Sequence, residues 1–192
     1  MYLPERRKVI IVTDGDLVAG KTVQVAARNI GARFISLTTG NPTPISAGEV
    51  VELIKKTPHD PVVIMVDDRG KRGFGKGEQV LEFVAQHPDI EVIGAVAVAS
   101  NTSFTEGVRV DESVTCDGRI VDGPVDKLGH PEEHGHIHLE GDTVDVLNRL
   151  DIPVIVGTGD TGKMDFADDY CKGAPVTTKA LLEILNRSEG NG

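Results

Sequence analysis

Lys8-Val-Ile-Ile-Val-Thr-Asp-Gly-Asp16 decides the fold. Its apolar core does not alternate with polar residues, so it reads as a strand buried on both faces, as in a parallel sheet covered by helices. Asp16 stands where a helix N-cap belongs, ahead of a helical pattern from Leu17 to Ile30 that Gly31 stops. The same unit recurs along the chain. Strands are expected at Arg33–Thr38, Pro61–Val66, Glu91–Ala99 and Pro153–Val156. Helices are expected after the Ser46/Glu49 capping box, over Glu78–Gln86 and over Thr178–Arg187. The expected class is α/β: a three-layer open parallel sheet, flavodoxin-like or Toprim-like, with strand order 2-1-3-4-5.

Residues 101–150 interrupt the rhythm. Val108–Val121 reads as a hairpin turning at Asp117-Gly118, and Asp142 as the cap of a short helix over Val144–Leu150. Residues 111–145 carry ten acids against Arg119 and Lys127. Lacking apolar content of its own, this segment is expected to be an acidic excursion within a single domain spanning 1–192.

The 192 residues carry a formal charge of −10 and 39% hydrophobic residues, with no Trp. That composition gives an aliphatic core and argues against nucleic-acid binding, which needs clustered cations. Cys116 and Cys171 are too few for a disulfide framework and read as small buried hydrophobes. No run reaches the length of a membrane span, and the start lacks a signal-peptide core, so a soluble protein is expected.

Ligands of open parallel sheets bind beyond the carboxyl ends of the strands. Acids gather there: Asp14 and Asp16 after the first strand, Asp67 and Asp68 after the third, with Ser100 after the fourth and Asp160 and Lys163 after the fifth. Asp14, Asp16, Asp67 and Asp68 could hold Mg²⁺, a hard cation that prefers oxygen ligands. The competing reading makes them caps of the following helices. The order Asp14, Asp16, Asp67, Ser100, Lys163 parallels a response-regulator receiver, and the acid pair on strand three parallels Toprim enzymes; both are likenesses of layout. Gly157–Met164 has the spacing of a phosphate loop, but Met164 stands where Ser or Thr must reach Mg²⁺.

The one basic glycine-rich loop contains Arg69, Lys71, Arg72, Gly73, Gly75 and Lys76, a candidate anion cradle ahead of a helix. His130, His134, His136 and His138 form a further cluster, read as a solvated loop rather than a designed metal site.

Several segments together resemble the soluble stage V sporulation protein AE family of spore-forming Firmicutes. They are Lys8–Asp16, Gly40-Asn-Pro42, Pro61–Asp68 with its glycine loop, His87–Ser100, Gly141–Val144, Leu150–Pro153, Gly157–Met164 and Lys172–Pro175. The resemblance implies a component of the system that moves dipicolinic acid, as its calcium chelate, into and out of the spore. It implies other transport proteins as partners, some of them membrane-embedded, and a place peripheral to the spore inner membrane. It brings no catalytic residues. The expectation is a non-enzymatic accessory that docks on partners or grips a small dianion such as dipicolinate, with a homodimer left open. The alternative is a Mg²⁺-dependent catalyst or phosphoacceptor built on the strand-end acids.

Overall fold

The computed structural model describes residues 5–69, 74–101, 105–133 and 135–190. Strands β1 (Arg7–Val12), β2 (Arg33–Phe34), β3 (Val62–Met65), β4 (Ile90–Val98), β5 (Glu112–Val114), β6 (Ile120–Val121) and β7 (Ile155–Thr158) form one sheet. Helices α1 (Leu17–Asn29), α2 (Ala47–Lys56), α3 (Lys76–Ala85) and α4 (Pro175–Gly190) cover it. The order is β2-β3-β1-β4-β7-β5-β6, parallel throughout except for the β5/β6 hairpin. This is the expected open α/β architecture.

Alternate residues of each central strand feed two cores. Val9 and Ile11 of β1 pack with Val50, Ile54, Val80 and Leu81 of α2 and α3. Ile10 and Val12 pack with Val23, Ala26, Leu181 and Ile184 of α1 and α4. Both faces are therefore dry, which is why the strand sequences are solidly apolar.

The strand order corrects the expected 2-1-3-4-5: β3 lies between β2 and β1. Its pairs Val9↔Val62 and Arg33↔Val62 fix that place. The connection from β1 to β2 skips one position, and the return from β2 fills it. Right-handed crossovers require helices to change face when the chain changes direction across the sheet. Accordingly α1 lies on one face, and α2 and α3 on the other. The loops after β1 and β3 thus part to opposite faces above adjacent strands, which opens a crevice at their carboxyl ends.

Caps fix the helix starts. Asp16 accepts from the Ala19 N–H at 2.9 Å, and Ser46 and Glu49 close a reciprocal capping box. For α4 the acceptor is Asp168, fully buried, which takes the N–H groups of Val176 and Thr177, the Thr177 hydroxyl and the Gly162 N–H. One carboxylate thereby ties the loop after β7 to the last helix.

Three local expectations change. The strand at Arg33–Thr38 stops at Phe34, and Ser36–Thr38 form a 3-10 turn. There the Thr38 hydroxyl donates to the Ile35 carbonyl and accepts from the Met65 N–H, replacing a ladder bond. The helix at Val144–Leu150 is a 3-10 turn over Asp145–Arg149 without a side-chain cap, because the cap position falls on Val144, which has no side-chain acceptor, and not on Asp142. Cys116 is half-buried, but Cys171 is exposed rather than a core residue. The expected hairpin is present, with Gly118 left-handed at φ 79°.

Replacing Asp168 with Ala orphans three buried N–H groups and a hydroxyl. Urea denaturation should show a loss of about 2–4 kcal/mol. Asp168→Asn, which keeps an acceptor, should lose less. Equal stability of Asp168→Ala and the parent would contradict this role.

Candidate functional site

The site forms where the loops after β1 and β7 meet. β1 is followed by Thr13, whose hydroxyl accepts from the Val98 N–H at 3.0 Å and anchors the strand end to β4. Asp14 then turns its Oδ1 back onto the Gly15 and Asp16 N–H groups, at 2.7 and 3.3 Å. Gly15 passes so close to the Gly40 carbonyl and the Asp67 side chain that no Cβ fits, which presses the β1 loop against the β3 loop. From 147 residues further on, Lys163 sends its Nζ to Asp16 Oδ2 at 2.6 Å. The same ammonium meets both Asp160 oxygens, at 2.9 and 3.1 Å.

The loop that delivers Lys163 is bent hard. Gly162 is left-handed at φ 79°, and Met164, Asp165 and Phe166 follow at φ 50°, 51° and 65°. Three successive non-glycine residues in that region cost roughly 1–2 kcal/mol each. Burial of the Met164 side chain and a 2.9 Å bond from Lys172 Nζ to the Phe166 carbonyl hold the turn. Strain here buys the placement of Lys163 and Asp160.

Asp14, Asp16 and Asp160 each offer an oxygen, all within 4.8 Å of one another, and all three residues are half-buried. Crowding shows in their protonation. Burial, aided by repulsion from Asp16 and Asp160, pushes Asp14 up to about 7. Burial opposes the Asp16 carboxylate too, but the Lys163 hydrogen bond and charge, together with the Ala19 and Val18 N–H groups, outweigh it and hold Asp16 below its ordinary value. Burial likewise disfavours the Lys163 charge, yet its bonds to Asp16 and Asp160 keep its pKa above that of an ordinary lysine. The Lys163 ammonium is thus shared by two carboxylates, Asp16 and Asp160, with Asp14 crowded beside them, and the three together present the hard oxygen donors that a divalent ion prefers.

The other residues expected at this rim do not join that group. Asp67 lies beside it, its Oδ1 taken by the Arg69 N–H at 2.7 Å. Burial, with repulsion from Asp142, Asp68 and Asp16, pushes it up to about 6. Asp68 serves α3 as a remote cap, accepting from the Gly77 and Glu78 N–H groups at 2.6 and 3.0 Å. The Ser100 hydroxyl accepts from the Asp142 N–H at 3.0 Å. Cap and cluster readings therefore divide the acids: Asp68 caps, Asp16 does both, and Asp14 and Asp160 complete the cluster.

Of the basic loop, Lys71, Arg72 and Gly73 lie outside the described residues. Arg69 and Lys76 are exposed, and Gly75 packs against the Asp68 carboxylate where a Cβ would collide. His134 also lies outside the described residues, and His130, His136 and His138 are exposed. Among the described residues, Asp14, Asp16 and Asp160 form the only metal-competent group.

One pattern escaped the reading of residue types. Gly15-Asp-Leu-Val-Ala-Gly20-Lys21-Thr22 satisfies the phosphate-loop spacing more fully than Gly157–Met164, since Thr follows Lys. The structure shows no cradle there. Residues from Leu17 onward are already helical, Gly20 packs on Thr39, and the Thr22 hydroxyl donates to the Val18 carbonyl. Lys21 Nζ lies 5.3 Å from the centre of the Tyr170 ring, and the Asp16 carboxylate fills the helix end that a phosphate would need.

Because Asp14 holds its proton more tightly when folded than its ordinary value of 3.8, its contribution to stability falls as pH rises from about 4 to about 7. Asp14→Asn should flatten that decline in urea titrations across the same window. An unchanged slope would contradict the crowding of this carboxyl.

A family model described as Stage V sporulation protein AE1 matches residues 8–188. Searches of the curated proteins and of the solved structures found no match. The match takes in every strand except for Arg7 at the start of β1, and nearly all of α4, and with them Asp14, Asp16, Asp160 and Lys163. With nearly its whole length covered, this chain belongs to the stage V sporulation protein AE1 family, and its role is in sporulation.

Proposed function

We propose that this chain is a non-enzymatic accessory of dipicolinate movement in the spore, and that its strand-end carboxylates take a divalent cation. Family membership supports the setting, and the likeness read from the sequence supports dipicolinate as the cargo. The observation that carries the cation is the convergence of Asp14, Asp16 and Asp160, two of which already hold the Lys163 ammonium. Calcium is the cation of the dipicolinate chelate, and it accepts such irregular carboxylate sets.

Among the described residues no helix is long and apolar enough to cross a membrane, and this reading gives passage through the bilayer to membrane-embedded partners. The chain would work peripherally, at the inner-membrane surface. A phosphoacceptor reading has less support. Asp67, its expected nucleophile, is pushed up to about 6 by burial and has one oxygen committed to the Arg69 N–H.

Thermal unfolding with Ca²⁺ tests the site. At a hundredfold excess over the dissociation constant, binding to the folded state adds about 2.7 kcal/mol, a rise of roughly 5–10 °C at this size. Asp160→Asn should abolish the rise. Affinity should also grow from pH 6 to pH 8, as Asp14, pushed up to about 7, gives up its proton. In spores, Asp160→Asn should lower dipicolinate content. Melting unmoved by millimolar Ca²⁺ would contradict the cation site, and normal dipicolinate in spores lacking the chain would contradict the transport role.

A further inference from the structure

At the opposite end of the sheet, beside the amino ends of the strands, lies a depression of about 300 Å³ lined by Gln24, Arg28, Gly31, Ala32, Arg33, Phe34 and His59. No carboxylate lines it, although the chain carries a formal charge of −10. Arg28 closes the last turn of α1, and Arg33 opens β2. Gly31 at φ 73° folds one back toward the other. The frame is fixed by backbone bonds from the Gly31 N–H to the Arg28 carbonyl, the Ala32 N–H to the Ala27 carbonyl and the Arg33 N–H to the Pro61 carbonyl.

Neither arginine is committed elsewhere. Among the described residues no hydrogen bond or ion pair engages the Arg28 or Arg33 guanidinium, whereas Arg6, Arg7, Arg119, Arg149 and Arg187 all pair with acids. Arg7 matters most here. It takes Asp60 at 2.7 Å and also donates to the His59 carbonyl at 3.0 Å, so the acid next to His59 is already neutralised. The Ala26, Ala27 and Arg28 carbonyls near the end of α1, the negative pole of the helix, take the N–H groups of Ile30, Gly31 and Ala32 rather than an arginine.

We infer that this depression is a binding site for a small dianion, a phosphate monoester or a dicarboxylate, gripped by the Arg28 and Arg33 guanidinium forks beside His59. Planar guanidinium forks match such oxyanions two bonds at a time, and two of them compensate two negative charges. The site is separate from the carboxylate cluster and does not depend on the transport reading.

Isothermal titration of the full chain with inorganic phosphate, and separately with succinate, tests it at constant ionic strength set by chloride. Saturable binding of at least one anion is expected. Arg28→Gln and Arg33→Gln should each weaken it by about tenfold or more. Arg109→Gln, which removes an exposed arginine elsewhere, should leave it unchanged, and all three variants should keep the parent's circular dichroism. No saturable binding of either anion, or equal weakening by Arg109→Gln, would overturn the site.

Discussion

The Lys163 ammonium, shared between Asp16 and Asp160, is the contact on which the carboxyl end of this sheet depends. It joins the loop after the first strand to the loop after the last parallel core strand, 147 residues apart. Without it, three half-buried carboxylates would face one another with no counter-charge. Such crowding is unfavourable in a partly dry crevice, where charges are weakly screened. The left-handed turn at Met164–Phe166 and the buried Asp168 network belong to the same device. The Asp168 bonds help hold the Lys163 loop against the strain of that turn.

Much of this was legible wherever the signal is local. The solid runs of β1, β3 and β4 gave away a sheet covered on both faces, and Asp16 and the Ser46/Glu49 pair marked helix starts by spacing alone. Strand order was not legible, because it rests on pairings such as Arg33↔Val62 between distant segments. The shortened β2 depends on one hydroxyl, Thr38, bonding across to Met65. The acids after the strands were visible as a set, but their division was not. Asp68 is drawn off to cap α3 because Gly75, the residue at the cap position, has no side chain to do so. Asp160 enters the cluster because the loop after β7 folds back across the sheet end.

Charge is distributed unevenly along the strand axis. Carboxylates gather at the carboxyl ends, around Asp14, Asp16, Asp160 and Asp67, while Arg28, Arg33 and His59 stand at the amino ends. On the proposed reading, an accessory that met both a divalent cation and a dianion would have use for two such ends, and the parallel sheet supplies them by setting every strand end of one kind on the same side. Stage V sporulation protein AE1 family membership places that polarity in spore formation.

On the proposed reading, the Lys163 ammonium holds the place that a divalent cation would take. Calcium titration of Lys163→Met, followed by calorimetry against the parent, tests it most directly. Removing the resident ammonium leaves Asp16 and Asp160 unpaired beside Asp14, so Ca²⁺ affinity should rise by about tenfold or more, since each 1.4 kcal/mol is worth tenfold. Affinity unchanged or weakened in a folded Lys163→Met variant would contradict it.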